Sequence, residues 1–258
     1  MKWFDAGVNL LDGRFNAEEV IARSVDAGVD KLCAITTEPA EWDAARALHI
    51  RFPEHVVYTI GCHPHNAKVM TDDDFVRLED YLGGEGVVAV GECGLDFNRD
   101  FSPRDVQERV FRRQLQIAVK HQMPVYLHER DAHALQLRCL DEDAAGVKGI
   151  AHCFTGQTTD MQAYLQRGLH IGITGWVCDP KRGEALREAV KSLPLEKLIV
   201  ETDAPYLFPK HHRPRARNNE PAFLPSIGCY LSDLLEISAE DIAQTSYANT
   251  CRLFNIAG

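Results

Sequence analysis

Short apolar runs alternate with longer amphipathic stretches along the whole chain. Runs that are rich in Val, Ile and Leu and bounded by Gly, Pro, Asn or Asp are typical of strands buried on both faces. Eight such runs predict strands at Trp3–Val8, Lys31–Ile35, Val56–Ile60, Val87–Val90, Val125–Leu127, Gly149–Ala151, Ile171–Ile173 and Leu198–Val200.

The stretches between these runs have the period of helices. In Ser102–His121 the apolar side chains recur on one face and the Arg and Gln side chains on the other. Ser102 and Pro103 predict the N-cap and the first residue of this helix. Thr71 and Ser238 predict two further helix starts in the same way.

Eight strands that alternate with helices over about 250 residues predict an α/β protein with a (β/α)8 TIM barrel, formed by a single domain over residues 1–258. A doubly wound open sheet is the alternative. In a barrel, the carboxyl ends of all the strands meet at one mouth, where the chemistry takes place. One segment, Phe208–Pro221, is too long for an ordinary connection and is interpreted as a functional loop.

Composition and charge narrow the class of protein. The chain is 45% hydrophobic and 26% charged, which is typical of a globular protein, and no apolar run approaches the length of a membrane span. The N-terminus has no secretion-signal pattern, and the eight cysteines form no C-x-x-C pair, so we expect reduced thiols in a cytoplasmic protein. We also expect the protein to be a monomer. The net charge of −10 argues against a non-specific nucleic-acid coat protein, but bound divalent cations can reverse the field in a cleft.

Acids and imidazoles follow several of the predicted strands. Glu92 comes after the fourth strand, His128 after the fifth, His152 after the sixth and Asp203 after the eighth. Such residues at one mouth predict a divalent-metal site, because a cation neutralises carboxylates that burial would otherwise disfavour. Taken singly, Glu92 could instead pair with Arg130, and Asp203 could cap a turn.

Two histidines follow the third strand, in Gly61–His65. One of His63 and His65 is expected to contact the substrate, and the other to brace a carboxylate behind the metal. The loop cations Lys210, Arg213, Arg215 and Arg217 either follow a nucleic-acid backbone or form a solvated surface.

At these residues the sequence resembles the TatD family of metal-dependent nucleases, a group of amidohydrolase-like barrels. The matching motifs span nearly the whole chain and are Gly61–His65, Gly91–Phe97, His128–Asp131, His152–Gly156, Glu201–Leu207 and Asn219–Pro225. The resemblance implies hydrolysis of phosphodiester bonds, as a magnesium-dependent 3′–5′ exonuclease on single-stranded DNA and, in some members, on RNA. It also suggests a role in DNA repair.

The resemblance further implies that Glu92, His128 and His152 hold one metal ion. Asp203 would contribute to a second ion or to activation of water. Many relatives carry His-x-His at the end of the first strand, where this chain has Gly7 and Asn9. The second site would therefore keep only oxygen donors, among them Asn9 as a weaker ligand, which suits Mg²⁺ or Mn²⁺ better than Zn²⁺.

The hypothetical mechanism uses Asp203 and Glu92 as catalytic residues. Asp203 takes or orients the proton of a water molecule that the metal makes more acidic, and the hydroxide attacks phosphorus. Arg130 stabilises charge on the phosphate oxygens, and His63, His65 and Asn219 are further candidates for substrate contacts.

Three other functions use the same residues. The first is hydrolysis of an ester or amide, such as an aminoacyl ester on tRNA. The second is a two-His-one-carboxylate iron oxygenase built on Glu92, His128 and His152. The third is a single-strand-binding protein whose catalytic power has decayed with the change to Gly7 and Asn9.

Overall fold

A computed structural model describes residues 1–256. Eight parallel strands lie in the order of the chain and form a (β/α)8 barrel. The strands are β1 (Trp3–Val8), β2 (Val29–Ala34), β3 (Val56–Ile60), β4 (Val87–Asp96), β5 (Val125–Arg130), β6 (Gly149–Ala151), β7 (His170–Ile173) and β8 (Leu198–Val200). The barrel closes beyond β8, where Asp203 N donates to Gly7 O and Asn9 N donates to Ala204 O, each at 2.9 Å. The barrel prediction is confirmed.

Helices cover the outside of the barrel. They are α1 (Ala17–Asp26), α2 (Trp42–Arg51), α3 (Asp72–Tyr81), α4 (Arg104–Lys120), α5 (His133–Asp143), α6 (Thr158–Gln166), α7 (Glu184–Val190), α8 (Leu224–Leu235) and α9 (Ala239–Phe254). Among residues 1–256, no helix combines the length and the apolar character that crossing a membrane requires.

Alternate residues of the strands fill the barrel interior. One buried cluster contains Phe4, Cys33, Tyr126, Ile150 and Ile199 from five strands. The C-terminal part of α9 belongs to the same cluster and packs an aromatic ring, Phe254, edge-on against Phe4, with centroids 6.0 Å apart. The amino end of the barrel is therefore closed by α9, and the carboxyl end is left for the site.

Two strands extend further at their carboxyl ends than predicted. β4 runs six residues beyond Val90, to Asp96, so Glu92 lies inside the strand instead of after it. The pairing of β4 with β5 shifts register between Gly91 and Cys93, which makes Glu92 the extra residue of a β-bulge. β5 likewise continues to Arg130. The apolar pattern could not predict these ends because polar site residues occupy them.

The start of α4 differs from the prediction. The helix begins at Arg104, and no side chain caps it. Ser102 is fully buried: its hydroxyl donates to His65 O at 2.8 Å and accepts from Lys68 N at 3.1 Å. Ser102 therefore fixes the neighbouring His65 turn instead of capping α4. The other two predicted caps are confirmed, since Thr71 accepts from Asp74 N and Ser238 accepts from Asp241 N.

Candidate metal centre and active site

A cleft of about 490 Å³ opens at the carboxyl end of the barrel. Of the residues predicted for the site, all but one line it; these are Asn9, His63, His65, Glu92, His128, Arg130, His152 and Asp203. The exception is Asn219, which is fully buried and donates to Thr202 O at 3.1 Å. Its position holds the segment after β8 in place and offers no substrate contact.

Glu92 lies at the centre of the cleft and is 5% exposed. Its Oε1 is 3.0 Å from His128 Nδ1, 3.5 Å from His63 Nε2 and 3.9 Å from His152 Nε2. Ligands that share one divalent ion at bond lengths near 2.0–2.2 Å are separated by roughly 3–3.5 Å. The spacings of Glu92 to His128 and His63 fall in this range, and the spacing to His152 is longer. Arg130 does not pair with Glu92 but donates to Thr155 Oγ1 at 3.0 Å.

Two glycines allow Glu92 to reach this position. Gly91 and Gly94 have φ angles of +146° and +148°, a region that side chains rarely enter. A Cβ at Gly94 would lie 1.9 Å from His128 O, and one at Gly91 would lie 2.3 Å from Tyr126 O. The close contact of β4 with β5 around Glu92 therefore depends on both glycines.

Outer carboxylates fix the orientation of the two predicted imidazole ligands. His128 Nε2 is 3.2 Å from Asp96 Oδ2, and His152 Nδ1 is 2.8 Å from Glu201 Oε2. With these nitrogens donating, His128 Nδ1 and His152 Nε2 are the free ligand atoms, and both are the nitrogens near Glu92. The donor atoms of His63, Glu92 and His128 form one group within 4.8 Å of one another, whereas His152 belongs to a neighbouring group with Cys153 and Asp203. The predicted ligands Glu92, His128 and His152 therefore span two adjacent groups, whose carboxylate and imidazole donors suit a divalent cation.

His63 has a different protonation pattern. Its Nδ1 accepts a hydrogen bond from His65 N at 3.1 Å, so the proton of the neutral ring is on Nε2. Burial lowers the pKa of His63 to about 3, which keeps the ring neutral. His63 therefore presents an N–H donor to the cleft. His65 Nε2 lies 2.7 Å from Asp96 Oδ2 and braces that carboxylate.

The charged groups of the site shift one another's pKa values. Burial disfavours the charged form of His128, but hydrogen bonds to Asp96 and Glu92 outweigh it and raise the His128 pKa to about 9. Burial likewise opposes ionisation of Glu92, but the surrounding imidazoles lower its pKa. A cation that binds here must displace the His128 proton, so its affinity depends on pH.

Asp203 stands beside this cluster at the barrel seam. Its Oδ1 lies 3.7 Å from His152 Nε2 and accepts from Asn9 Nδ2 at 3.1 Å. His152, Cys153 and Asp203 form a second group whose donor atoms lie within 4.8 Å of one another. Burial raises the pKa of Asp203, which makes its carboxylate a stronger proton acceptor. Asn9 uses its amide N–H groups within the protein, on Asp203 and on Ala204 O.

Three buried residues of the site were not predicted from the sequence. Glu201 accepts from His152, from Tyr126 OH at 2.6 Å and from Cys153 N at 2.6 Å. Asp96 accepts from two imidazoles, as described above. The sequence did contain an indication of Glu201 and Tyr126, because residues two apart on a strand point to the same side of the sheet. Ile199 and Tyr126 belong to the buried cluster inside the barrel, so Glu201 and His128 are expected to point inward with them.

Comparisons with known proteins agree with this geometry. The profile of the family described as TatD related DNase matches residues 4–255. The 3′-5′ ssDNA/RNA exonuclease TatD of Citrobacter rodentium is 44% identical over 258 residues, covering 98% of each chain. The protein of the same name from Salmonella typhimurium is 47% identical over 229 residues, covering 87% of this chain and 88% of the relative. The crystal structure of YJJV, a TatD homologue from Escherichia coli K12, superposes with a TM-score of 0.90 at 28% identity, covering 99% of this chain and 98% of the homologue.

Proposed function

The chain belongs to the TatD related DNase family, and on this basis we propose that it is a divalent-metal-dependent nuclease. It hydrolyses phosphodiester bonds as a 3′–5′ exonuclease on single-stranded DNA, and on RNA. The observation that carries the proposal is the convergence of His128 and His152 on one oxygen of Glu92, beside Asp203, in an open cleft.

Glu92, His128 and His152 would hold one divalent ion. A second ion would use Asp203 and Glu92, with Asn9 Oδ1 as a further oxygen. We propose Mg²⁺ as the native ion, with Mn²⁺ and Zn²⁺ as alternatives, because carboxylate, amide and phosphate oxygens suit Mg²⁺. When bound, such an ion acidifies water and polarises a phosphoryl oxygen.

The side chains of the cleft perform the remaining steps. Asp203 accepts the proton of the attacking water, since burial raises its pKa and its Oδ1 faces the metal ligands. His63 donates its Nε2 proton in a hydrogen bond to a phosphate or leaving oxygen. Arg130 lies at the edge of the cleft and stabilises negative charge on the phosphate.

The basic loop Phe208–Pro221 is proposed to contact the nucleic-acid backbone. Lys210 Nζ bonds to Asp179 Oδ2 at 2.7 Å, which ties the loop to the segment after β7. Arg213 donates to carbonyl groups of its own loop. Arg215 and Arg217 are exposed and make no ion pair with another residue in the range 1–256, so their charges are available to phosphates.

A matched pair of substitutions tests the nuclease proposal. Oligonucleotides labelled at the 3′ or the 5′ end are incubated with Mg²⁺, with and without a chelator. Glu92→Gln is compared with Glu240→Gln, which removes the same charge from an exposed position on α9. We expect Glu92→Gln to lose far more than tenfold in turnover and Glu240→Gln to keep it. A loss below tenfold, or about 1.4 kcal/mol of barrier, contradicts a metal-bridging role.

Adding an aminoacyl ester as a second substrate to this assay separates two of the three alternative functions from the nuclease. Cleavage of an aminoacyl ester in preference to single-stranded DNA would favour the ester hydrolase. Binding of single strands without cleavage in any divalent ion would favour the weakened binding protein. We also propose that residues 1–258 act as one domain and that the protein is a monomer. Sedimentation equilibrium tests the monomer directly.

A further inference from the structure

A second cavity of about 320 Å³ adjoins the cleft, and we call it the side cavity. It shares Glu129, Arg130 and His152 with the cleft. Aromatic rings form much of its wall, from Phe154, Tyr164 and Trp176. Its volume is at the lower end of the roughly 300–1,000 Å³ typical of small-ligand sites. One ligand can therefore occupy both cavities, with one group in each.

The polar edge of the side cavity consists of an imidazole between two carboxylates. His133 Nδ1 is 3.6 Å from Glu129 Oε2, and His133 Nε2 is 3.8 Å from Asp160 Oδ1. Both distances exceed the roughly 3.2 Å limit of a good hydrogen bond. His133 Nδ1 is buried and has no hydrogen-bond partner within residues 1–256.

The other oxygen of each carboxylate is already bonded. Glu129 Oε1 accepts from Ala132 N at 2.8 Å, and Asp160 Oδ2 accepts from Gln157 N at 3.1 Å. Glu129 Oε2 and Asp160 Oδ1 therefore remain as acceptors beside the ring-lined wall. Both oxygens belong to partly exposed side chains and can only accept, so this edge suits a ligand that brings hydrogen-bond donors.

Charge determines which part of a nucleotide fits the side cavity. The side cavity is lined by three acidic residues, Glu129, Asp131 and Asp160, which repel a phosphate group. An uncharged planar heterocycle can instead pack against its aromatic rings. Arg130 lies on the boundary between the cavities and makes one side-chain hydrogen bond within residues 1–256, to Thr155. Its remaining N–H groups can bind phosphate, which places a phosphate in the cleft and the attached base in the side cavity.

We propose that the side cavity binds the nucleobase next to the scissile phosphate and prefers bases with an exocyclic amino group. Cytosine, adenine and guanine offer such a donor to Asp160 Oδ1 and Glu129 Oε2. Thymine and uracil carry carbonyl oxygens at both exocyclic positions, which the carboxylates repel, and offer only the ring N3–H as a donor on that edge. The inference rests on the proposed nuclease function and adds a base preference to it.

Binding of mononucleotides measures the preference without catalysis. In calorimetric titrations of the Mg²⁺-loaded protein, we expect dCMP to bind about tenfold more tightly than TMP, within the range for one well-placed base contact. Asp160→Asn replaces the acceptor with a donor and should reduce the ratio to about one. Asp105→Asn is the matched control, because it removes an acid from the first turn of α4 outside both cavities.

Cleavage assays complete the test. Oligonucleotides that end in C, in T or in an abasic residue are compared in wild type, Asp160→Asn and His133→Asn. The subsite is supported if wild type removes a terminal C faster than a terminal T and both variants lose this difference. The abasic end should then be cleaved at the same rate by wild type and by the two variants. Equal rates for C and T in active wild-type protein, or a preference that survives both substitutions, overturns it. If no oligonucleotide is cleaved at all, the proposed nuclease function itself fails.

Discussion

Replacing Glu201 with Gln should weaken metal binding although Glu201 is not expected to touch the metal. Glu201 is fully buried, and its Oε2 accepts from His152 Nδ1 and Tyr126 OH. When the oxygen of the Gln amide keeps the bond from Cys153 N, its N–H group takes the place of Oε2 and can only donate to His152 Nδ1. The ring proton must then move to Nε2, and Nε2 is the atom that faces Glu92 and Asp203.

The magnitude follows from the bonds that are lost. The carboxylate accepts three hydrogen bonds of 2.6 to 2.8 Å, and Gln keeps a good acceptor for one of them, from Cys153 N. Outer partners of metal-binding imidazoles are typically worth 10–100-fold in metal affinity. We therefore expect the dissociation constant to rise by that factor, or about 1.4–2.8 kcal/mol.

Competition with a fluorescent chelator measures the dissociation constant of Mn²⁺ directly, and near-ultraviolet circular dichroism monitors the fold. Tyr126→Phe is the matched control, because it removes one bond to Glu201 and leaves the carboxylate on His152. Its effect should be smaller than tenfold. If the folded Glu201→Gln protein binds Mn²⁺ within about threefold of wild type, the orientation of His152 by Glu201 is refuted.

Three further changes have defined outcomes. Gly7→Ala should lower stability by about 1–3 kcal/mol in thermal unfolding, since its Cβ would lie 1.9 Å from Tyr126 OH. Burial raises the pKa of Asp5 to about 7, so folding favours its protonated form and stability should fall as pH rises from about 4 to 7. The Asp5→Asn substitution should remove this loss of unfolding free energy, which amounts to up to about 4 kcal/mol. Urea unfolding at several pH values measures it. Replacing Arg215 and Arg217 with Gln should flatten the salt dependence of single-strand affinity by about 0.7 in log–log slope per residue.

Each of these expectations has a contradicting result. An unchanged melting temperature in Gly7→Ala would mean that the Tyr126 ring moves aside freely. A parallel pH profile in wild type and Asp5→Asn would place the pH dependence elsewhere. An unaltered salt slope would mean that the basic loop is only a solvated surface.

The pattern of apolar runs was enough to predict the barrel and the rim of the site, because both follow from the alternation of strands and helices along the chain. Each of the eight apolar runs became a strand, and Glu92, His128 and His152 follow from the rule that strand ends meet at one mouth. The register shift at Glu92 was not predictable from apolar character, since the bulge consists of glycines and a carboxylate.

The outer hydrogen bonds could not be predicted because they join distant parts of the chain. The contact of Tyr126 with Glu201 spans 75 residues and exists only once β5 and β8 face each other across the barrel. The different roles of His63 and His65 could not be predicted either. They depend on which nitrogen of His63 accepts a backbone bond, and no residue pattern specifies that.

The segment after β8, which closes the barrel against β1, also contains the proposed proton acceptor. Asp203 is attached through its backbone to Gly7, and β8 contributes only three residues to the sheet. Separation of the segment after β8 from the first strand on heating would shift this carboxylate while the rest of the fold is intact. Enzymatic inactivation on heating should therefore set in below the calorimetric melting transition, and a crosslink between the first and last strands should bring the two temperatures together.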